Sequence, residues 1–137
     1  MSQRTLVLLK PDTVRRGLVG EIVGRYEAKG LTIAALEHRT IDAALADAHY
    51  AEHVEKDFYP PLRAFVLSGP LVALVLEGDE AVESVRALNG ATDGRKAAPG
   101  TIRGDLSLSN RENLVHGSDS PESAEREMGI WFPGLAG

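Results

Sequence analysis

The sequence predicts an α+β sandwich: a four-stranded antiparallel sheet with helices on one face. Three observations carry that prediction. Short apolar runs rich in β-favouring residues alternate with amphipathic helical stretches, giving the order β-α-β-α-β-α-β-α. Four strands are too few for a large doubly wound sheet, and suit a ferredoxin-like arrangement with a βαββαβ core plus extra helices. The 137 residues also match one domain, expected over residues 1–137. At this length folding buries roughly two-thirds of the unfolded chain's surface, so a core needs no staples.

The first strand is read over residues 5–9, ended by Lys10-Pro11-Asp12. Val19, Ile22, Val23 and Tyr26 then recur at i, i+3, i+4 and i+7 with charged residues between them, an amphipathic helix that Gly30 closes. Residues 31–36 read as the second strand. Residues 41–54 and 60–67 read as helical pieces around Phe58-Tyr59-Pro60-Pro61. Residues 71–76 form the clearest strand, apolar on both faces and bounded by Gly69-Pro70 and Gly78-Asp79. Residues 79–88 read as a helix, and residues 89–113 as irregular chain, a length that is usually functional or disordered. Leu114-Val115-His116 reads as a short last strand. Ser120-Pro121 opens a final helix, serine as N-cap and proline at the first helical position. A strand apolar on both faces needs cover on each, and a partner subunit is the economical source, so an oligomer is expected.

Composition narrows the chemistry. There are no cysteines, which excludes disulfides, thiolate metal sites and a cysteine nucleophile. No apolar stretch approaches the ~20 residues that span a bilayer, and the apolar run after Arg4 breaks at Lys10, unlike a secretory signal. A cytoplasmic protein without a membrane partner is expected. The net charge of −5 argues against nucleic acid as the primary partner. Yet Arg86, Arg95, Lys96 and Arg103 face a single acid, Asp93, within one stretch. That island is either a small anionic-ligand site or a solvated loop.

Four histidines are present. His38, His49 and His53 read as surface or structural. His116 follows two apolar residues and precedes glycine, a strand-end setting with hydroxyl and carboxylate groups close by in sequence. An imidazole, with an ordinary pKa near ~6.5, can attack as a nucleophile or move a proton at neutral pH, or it can simply cap a turn. Glu127 lies ~9 Å along the last helix from its start and could fold back to orient that ring. Phosphoryl chemistry needs cations around the phosphate oxygens. No P-loop motif is present, so Lys10, Arg86, Thr92 and Arg103 are the candidates, arginine's planar fork suiting phosphate. Phe58 and Tyr59 could offer a face for a flat base, or belong to the core.

Five segments occur in one order: Thr5-Leu-Val-Leu-Leu-Lys-Pro-Asp12, Arg16-Gly-Leu-Val-Gly-Glu21, Ser68-Gly-Pro70, Pro99-Gly-Thr-Ile-Arg-Gly-Asp105 and Asn113-Leu-Val-His-Gly-Ser-Asp-Ser120. Together the chain closely resembles the nucleoside diphosphate kinases, from about residue 4 to residue 132, and the histidine segment is specific to that family.

The resemblance implies ping-pong transfer of the γ-phosphate of a nucleoside triphosphate, ATP as donor, to a nucleoside diphosphate through Nδ1 of His116. It assigns Lys10 and Asn113 to the sugar hydroxyl and phosphate region, and Arg86, Thr92 and Arg103 to the phosphates. Phe58 would stack on the base with Leu62 beneath it, giving broad base and sugar specificity. Tyr50, Ser118 and Glu127 would support the histidine. Mg2+ would enter with the nucleotide, held by phosphates and water, with Asp119 an indirect contact. A homo-oligomer, tetramer or hexamer, is implied as well. Asp93-Gly94 departs from the family's usual Asn-Pro, and residues 57–61 depart from its usual Pro-Phe-Phe. The same island would also serve a ligand-sensing regulator without chemistry, or a nucleic-acid-binding protein. A regulator would keep its function in His116→Asn, and a nucleic-acid binder would show steeply salt-dependent DNA binding.

Overall fold

Residues 2–135 are described by a computed structural model. Strand β1 (Ser2–Leu9) leads through helix α1 (Pro11–Arg15) into α2 (Val19–Lys29), followed by β2 (Thr32–Arg39), α3 (Ala43–His49), α4 (Tyr59–Val66), β3 (Leu71–Asp79), α5 (Ala81–Asn89), α6 (Ile102–Leu106), β4 (Val115–Gly117) and α7 (Pro121–Trp131). The strands form one sheet in the order β2-β3-β1-β4, every neighbour antiparallel. This is the expected four-stranded ferredoxin-like arrangement.

The central pair explains the packing. Along β1, Val7 and Leu9 face one side while Leu6 and Leu8 face the other; along β3, Val72, Leu74 and Leu76 alternate in the same way with Leu71, Ala73 and Val75. Each side carries its own core. The first takes Ile22 and Tyr26 from α2 and Val85 from α5. The second takes Ala46 and Tyr50 from α3 and its end, Tyr59 and Val66 from α4, and Trp131 from α7. The two crossover helices therefore cover one face as expected, and the extra helices cover the other. This corrects the argument for a partner subunit: the second apolar face of β3 is covered by the chain itself.

Element ends follow local chemistry. Gly30 closes α2 in the left-handed conformation, φ 108°. Ser120 accepts the Ser123 amide hydrogen at 3.0 Å and Pro121 opens α7, as read from the sequence. The helix expected over residues 41–54 is shorter. α3 stops at His49, and the chain continues through successive four-residue turns, His53 N–H to Tyr50 carbonyl at 2.7 Å and Lys56 N–H to His53 carbonyl at 2.9 Å. The stretch expected to be irregular contains α6, capped by the Thr101 hydroxyl, which accepts the Gly104 amide at 3.0 Å. Leu114, expected in the last strand, lies just before β4.

Candidate active site

β1 and β4 run antiparallel with Leu8 opposite His116, so His116 shares the second face of the sheet with Leu8 and lies beside the exit of β1, where Lys10 stands. A cleft of about 350 Å³ opens there. Lys10, Tyr50, Arg86, Thr92, Arg103, Asn113, His116, Asp119 and Glu127 all line it. Residues from five helices or their flanks and two strand ends thus converge on one cavity, a gathering that the sequence order hides.

The floor is a strained turn. Val115 N–H donates to the Asn113 carbonyl at 2.8 Å, a three-residue γ-turn, with Leu114 at its centre at φ 73°. A leucine held there needs external support, and α1 and its approach give it. The Leu114 N–H donates to Asp12 Oδ2 at 3.0 Å; its carbonyl accepts from the Lys10 amide at 2.8 Å and from Thr13 Oγ1 at 2.7 Å. The turn aims Asn113 back at β1, where Lys10 Nζ donates to Asn113 Oδ1 at 2.9 Å. Burial, then the nearby Arg103 charge, pushes the Lys10 ammonium down to about 8, with Asp12 acting the other way. Burial likewise raises Asp12, against its bond to the Leu114 amide.

Arg103, half-buried on α6, ties the walls together. Its Nε donates to the Asn113 carbonyl at 3.1 Å, Nη1 to the Gly90 carbonyl at 2.8 Å and Nη2 to the Val115 carbonyl at 2.6 Å. Three of the five guanidinium hydrogens are spent on backbone, leaving two for a ligand in the cleft. Arg86 and Thr92 line the same cleft as exposed residues at the end of α5 and just beyond it.

His116 Nε2 lies 2.8 Å from Glu127 Oε1, and Ser118 Oγ donates to the same oxygen at 2.7 Å. The neutral ring that donates from Nε2 keeps its lone pair on Nδ1, the nucleophilic form. Tyr50 lies beside this group through His49, ring centroids 4.6 Å apart. Asp119 is exposed at the rim; a Ser123 hydroxyl bond, then the Arg86 charge, holds its carboxyl below the usual range. Two expected base-binding residues stand apart from the cleft wall. Phe58 is exposed, 5.4 Å from the ring of His53, which does line the cleft. Leu62 packs into the second core.

Sequence reasoning passed over His49, whose ring lies 4.7 Å from that of His116 and at 83° to it. Trp131 Nε1–H donates to its Nδ1 at 3.0 Å. Nothing local marks His49, since its partners are distant in sequence. Asp12 and Thr13 were missed for the same reason, although their place directly after a strand end was a usable signal. Among the described residues, His49, His116 and Glu127 bring potential metal-ligand atoms within 4.8 Å of one another. The indole donor on Nδ1 keeps the His49 proton on Nε2, leaving that ring no lone pair for a metal.

The comparisons bear on the fold and the family. The family model for nucleoside diphosphate kinase matches residues 3–136. The chain is similar to a nucleoside diphosphate kinase of Nocardioides sp., 83% identical over 98% of this chain and 100% of that one. It is also similar to that of Cutibacterium acnes, 62% identical over 97% and 96% of the two chains. Among solved structures it is similar to the halophilic nucleoside diphosphate kinase from Halobacterium salinarum in complex with CDP, with a TM-score of 0.94 and 48% identity, covering 96% of this chain and 88% of that one. The corresponding family protein from Babesia bovis gives 0.92 and 42%, covering 95% and 88%. Fold, histidine cleft and near-complete coverage by such relatives lead to one conclusion: this chain belongs to the nucleoside diphosphate kinase family and is an enzyme of nucleotide phosphotransfer.

Proposed function

We propose that the chain, as one domain over residues 1–137, moves the γ-phosphoryl group of a nucleoside triphosphate to a nucleoside diphosphate in two half-reactions through His116. The single observation that supports this most is the Glu127 carboxylate 2.8 Å from Nε2, which holds the proton on that nitrogen. In the first half-reaction the Nδ1 lone pair attacks the γ-phosphorus, and the bond to the β–γ bridging oxygen breaks with its electron pair leaving on the diphosphate. In the second, a terminal oxygen of the acceptor diphosphate attacks that phosphorus and the P–N bond breaks, returning its electrons to the ring. The proton stays on Nε2, hydrogen-bonded to Glu127, throughout, so no outside proton is needed.

Positive charge meets the phosphoryl oxygens from Lys10, Arg86 and the two free hydrogens of Arg103, with Thr92 and Asn113 as neutral partners. Lys10 and Asn113 also reach the sugar hydroxyl. Tyr50 and Ser118 hold the histidine group in place. Phe58 supplies an exposed aromatic face for the base, with Leu62 behind it, and a stacking platform accepts any base, which supports broad specificity. The residues fit Mg2+ arriving on the nucleotide: this ion keeps waters and takes phosphates with one or two carboxylates, and Asp119 is a stabilised carboxylate on the rim. When bound, Mg2+ neutralises charge on the phosphate oxygens. We further propose a cytoplasmic homo-oligomer, tetramer or hexamer. Among the described residues no helix is long and apolar enough to cross a membrane.

The test is to incubate the protein with γ-labelled ATP and Mg2+ and quench in alkali, which phosphohistidine survives. Label should appear on the wild type, vanish in His116→Ala and discharge onto added GDP. In His116→Ala, exchange should be abolished while nucleotide still binds. Retained turnover in that variant sinks the mechanism.

A further inference from the structure

His49 lies against the His116 ring without belonging to the relay just described. It is 4% exposed. Its ring meets those of Tyr50, His116 and Trp131 edge to face, at centroid separations of 4.6, 4.7 and 5.6 Å. The Trp131 indole N–H on Nδ1 fixes both its rotation and its tautomer. We propose that His49 is a positioning residue for phosphoryl transfer, its indole-anchored ring setting the plane of the His116 imidazole. The proposal rests on His116 being the nucleophile.

Glu127 fixes His116 at one point, Nε2. A ring held at one atom can still pivot about that hydrogen bond, and pivoting swings Nδ1 away from the line of attack. A perpendicular neighbour packed against the ring removes that freedom. A misplacement of about 1 Å costs on the order of 100-fold in rate, so the constraint matters. His49 is also suited to stay uncharged there. Burial, followed by the charges of His116, Arg126, Lys10 and His53, holds its imidazole well below the usual histidine range. Glu127 faces the same cluster, already occupied by the His116 and Ser118 donors.

Three variants test the assignment: His49→Ala, Trp131→Phe, and His49→Phe combined with Trp131→Phe, the last keeping an aromatic face without orphaning a buried indole N–H. Single-turnover uptake of label from γ-labelled ATP should fall about 10- to 100-fold in His49→Ala with nucleotide Kd changed less than about threefold, and the double variant should recover most of the rate. Uptake in His49→Ala within about twofold of wild type, or a double variant no faster than it, overturns the proposal. Ring 15N NMR on the nucleotide-free protein gives an independent reading. Wild-type His49 should carry its proton on Nε2, and Trp131→Phe should shift the ring nitrogens of both His49 and His116. Unmoved His116 signals overturn the positioning role, even if His49→Ala fails to fold. A wild-type protein that takes up no label sinks the kinase reading instead, and the NMR result still decides the place of His49.

Discussion

One carboxylate oxygen, Oε1 of Glu127, serves both His116 and Ser118, at 2.8 and 2.7 Å. Glu127 is buried, so its carboxylate is held by those donors and by Arg126, whose Nη2 lies 4.0 Å from Oε2, rather than by water. The sheet brings His116 to the site and α7 brings Glu127, and the short connection between β4 and α7 sets the distance.

Glu127→Ala should therefore slow phosphoryl transfer by at least about 10- to 100-fold, the range typical when the carboxylate partner of a metal-ligating imidazole is removed. The loss should fall on kcat, because the carboxylate is engaged with His116 and Ser118 and acts through the ring. Glu127→Gln should be milder, since an amide oxygen can still accept from Nε2–H without carrying charge. Steady-state kinetics on both variants check this; a loss confined to KM contradicts the assignment.

Lys10 makes a pH prediction. Its ammonium is pushed down to about 8 by burial and by Arg103. Below that value it is charged and available to phosphate, so kcat/KM should fall as pH rises through about 8. Stability should move the other way. Between about 8 and its ordinary value of 10.5 the unfolded chain binds more protons at this residue than the folded one, so the Lys10 contribution to stability rises with pH in that window. A profile of activity alongside thermal melts from pH 7.5 to 9.5 separates the two. Lys10→Arg, which cannot deprotonate there, should remove the alkaline limb.

Gly90 tests the anchoring of Arg103. Its φ is 84°, and a Cβ would lie 2.5 Å from Thr101 Oγ1, the atom that caps α6. Its carbonyl also holds Arg103 Nη1 at 2.8 Å. Gly90→Ala should destabilise the fold by about 2 kcal/mol or more, through positive-φ strain and displacement of the cap. Nucleotide affinity should drop with it, because Arg103 loses one of its three carbonyl supports. Melting curves and equilibrium binding measure both, and an unchanged melting temperature contradicts the account.

Local patterning made the framework legible. The alternation in β1 and β3, the glycine after α2 and the serine-proline pair that starts α7 each act through near neighbours, so the strands and most helix ends could be read. Fine boundaries were lost where distant contacts decide. α3 ends at His49 because the following turns carry the chain toward α4, and Leu114 leaves the strand because Asp12 and Thr13 hold it in a γ-turn. The second face of β3 shows the limit from another side. Its apolar character was plain, but what covers it depends on where α3, α4 and α7 fold. Within the cleft, most of the candidate residues were named from motif order, and the structure gathers them. His49 was not, because its place depends on Trp131 and His116, both far along the chain.

Phe58 is 49% exposed, so its ring is accessible to a ligand. Its support is specific: the His53 ring lies 5.4 Å away, and the Lys56 ammonium sits 5.9 Å from its centroid. Such a ring, with no hydrogen-bonding group of its own, can recognise only the flat face of a base. Phe58→Ala should thus weaken purine and pyrimidine nucleotides to a similar degree, raising KM by the equivalent of about 1–3 kcal/mol. Because the ring is half in solvent, stability should change by no more than about 0.5 kcal/mol. Measuring KM for adenine, guanine, cytosine and uracil nucleotides side by side decides the matter. Similar losses across all four mean a stacking platform. A loss confined to one base means that edge-specific contacts select the substrate, and the stacking role of Phe58 falls.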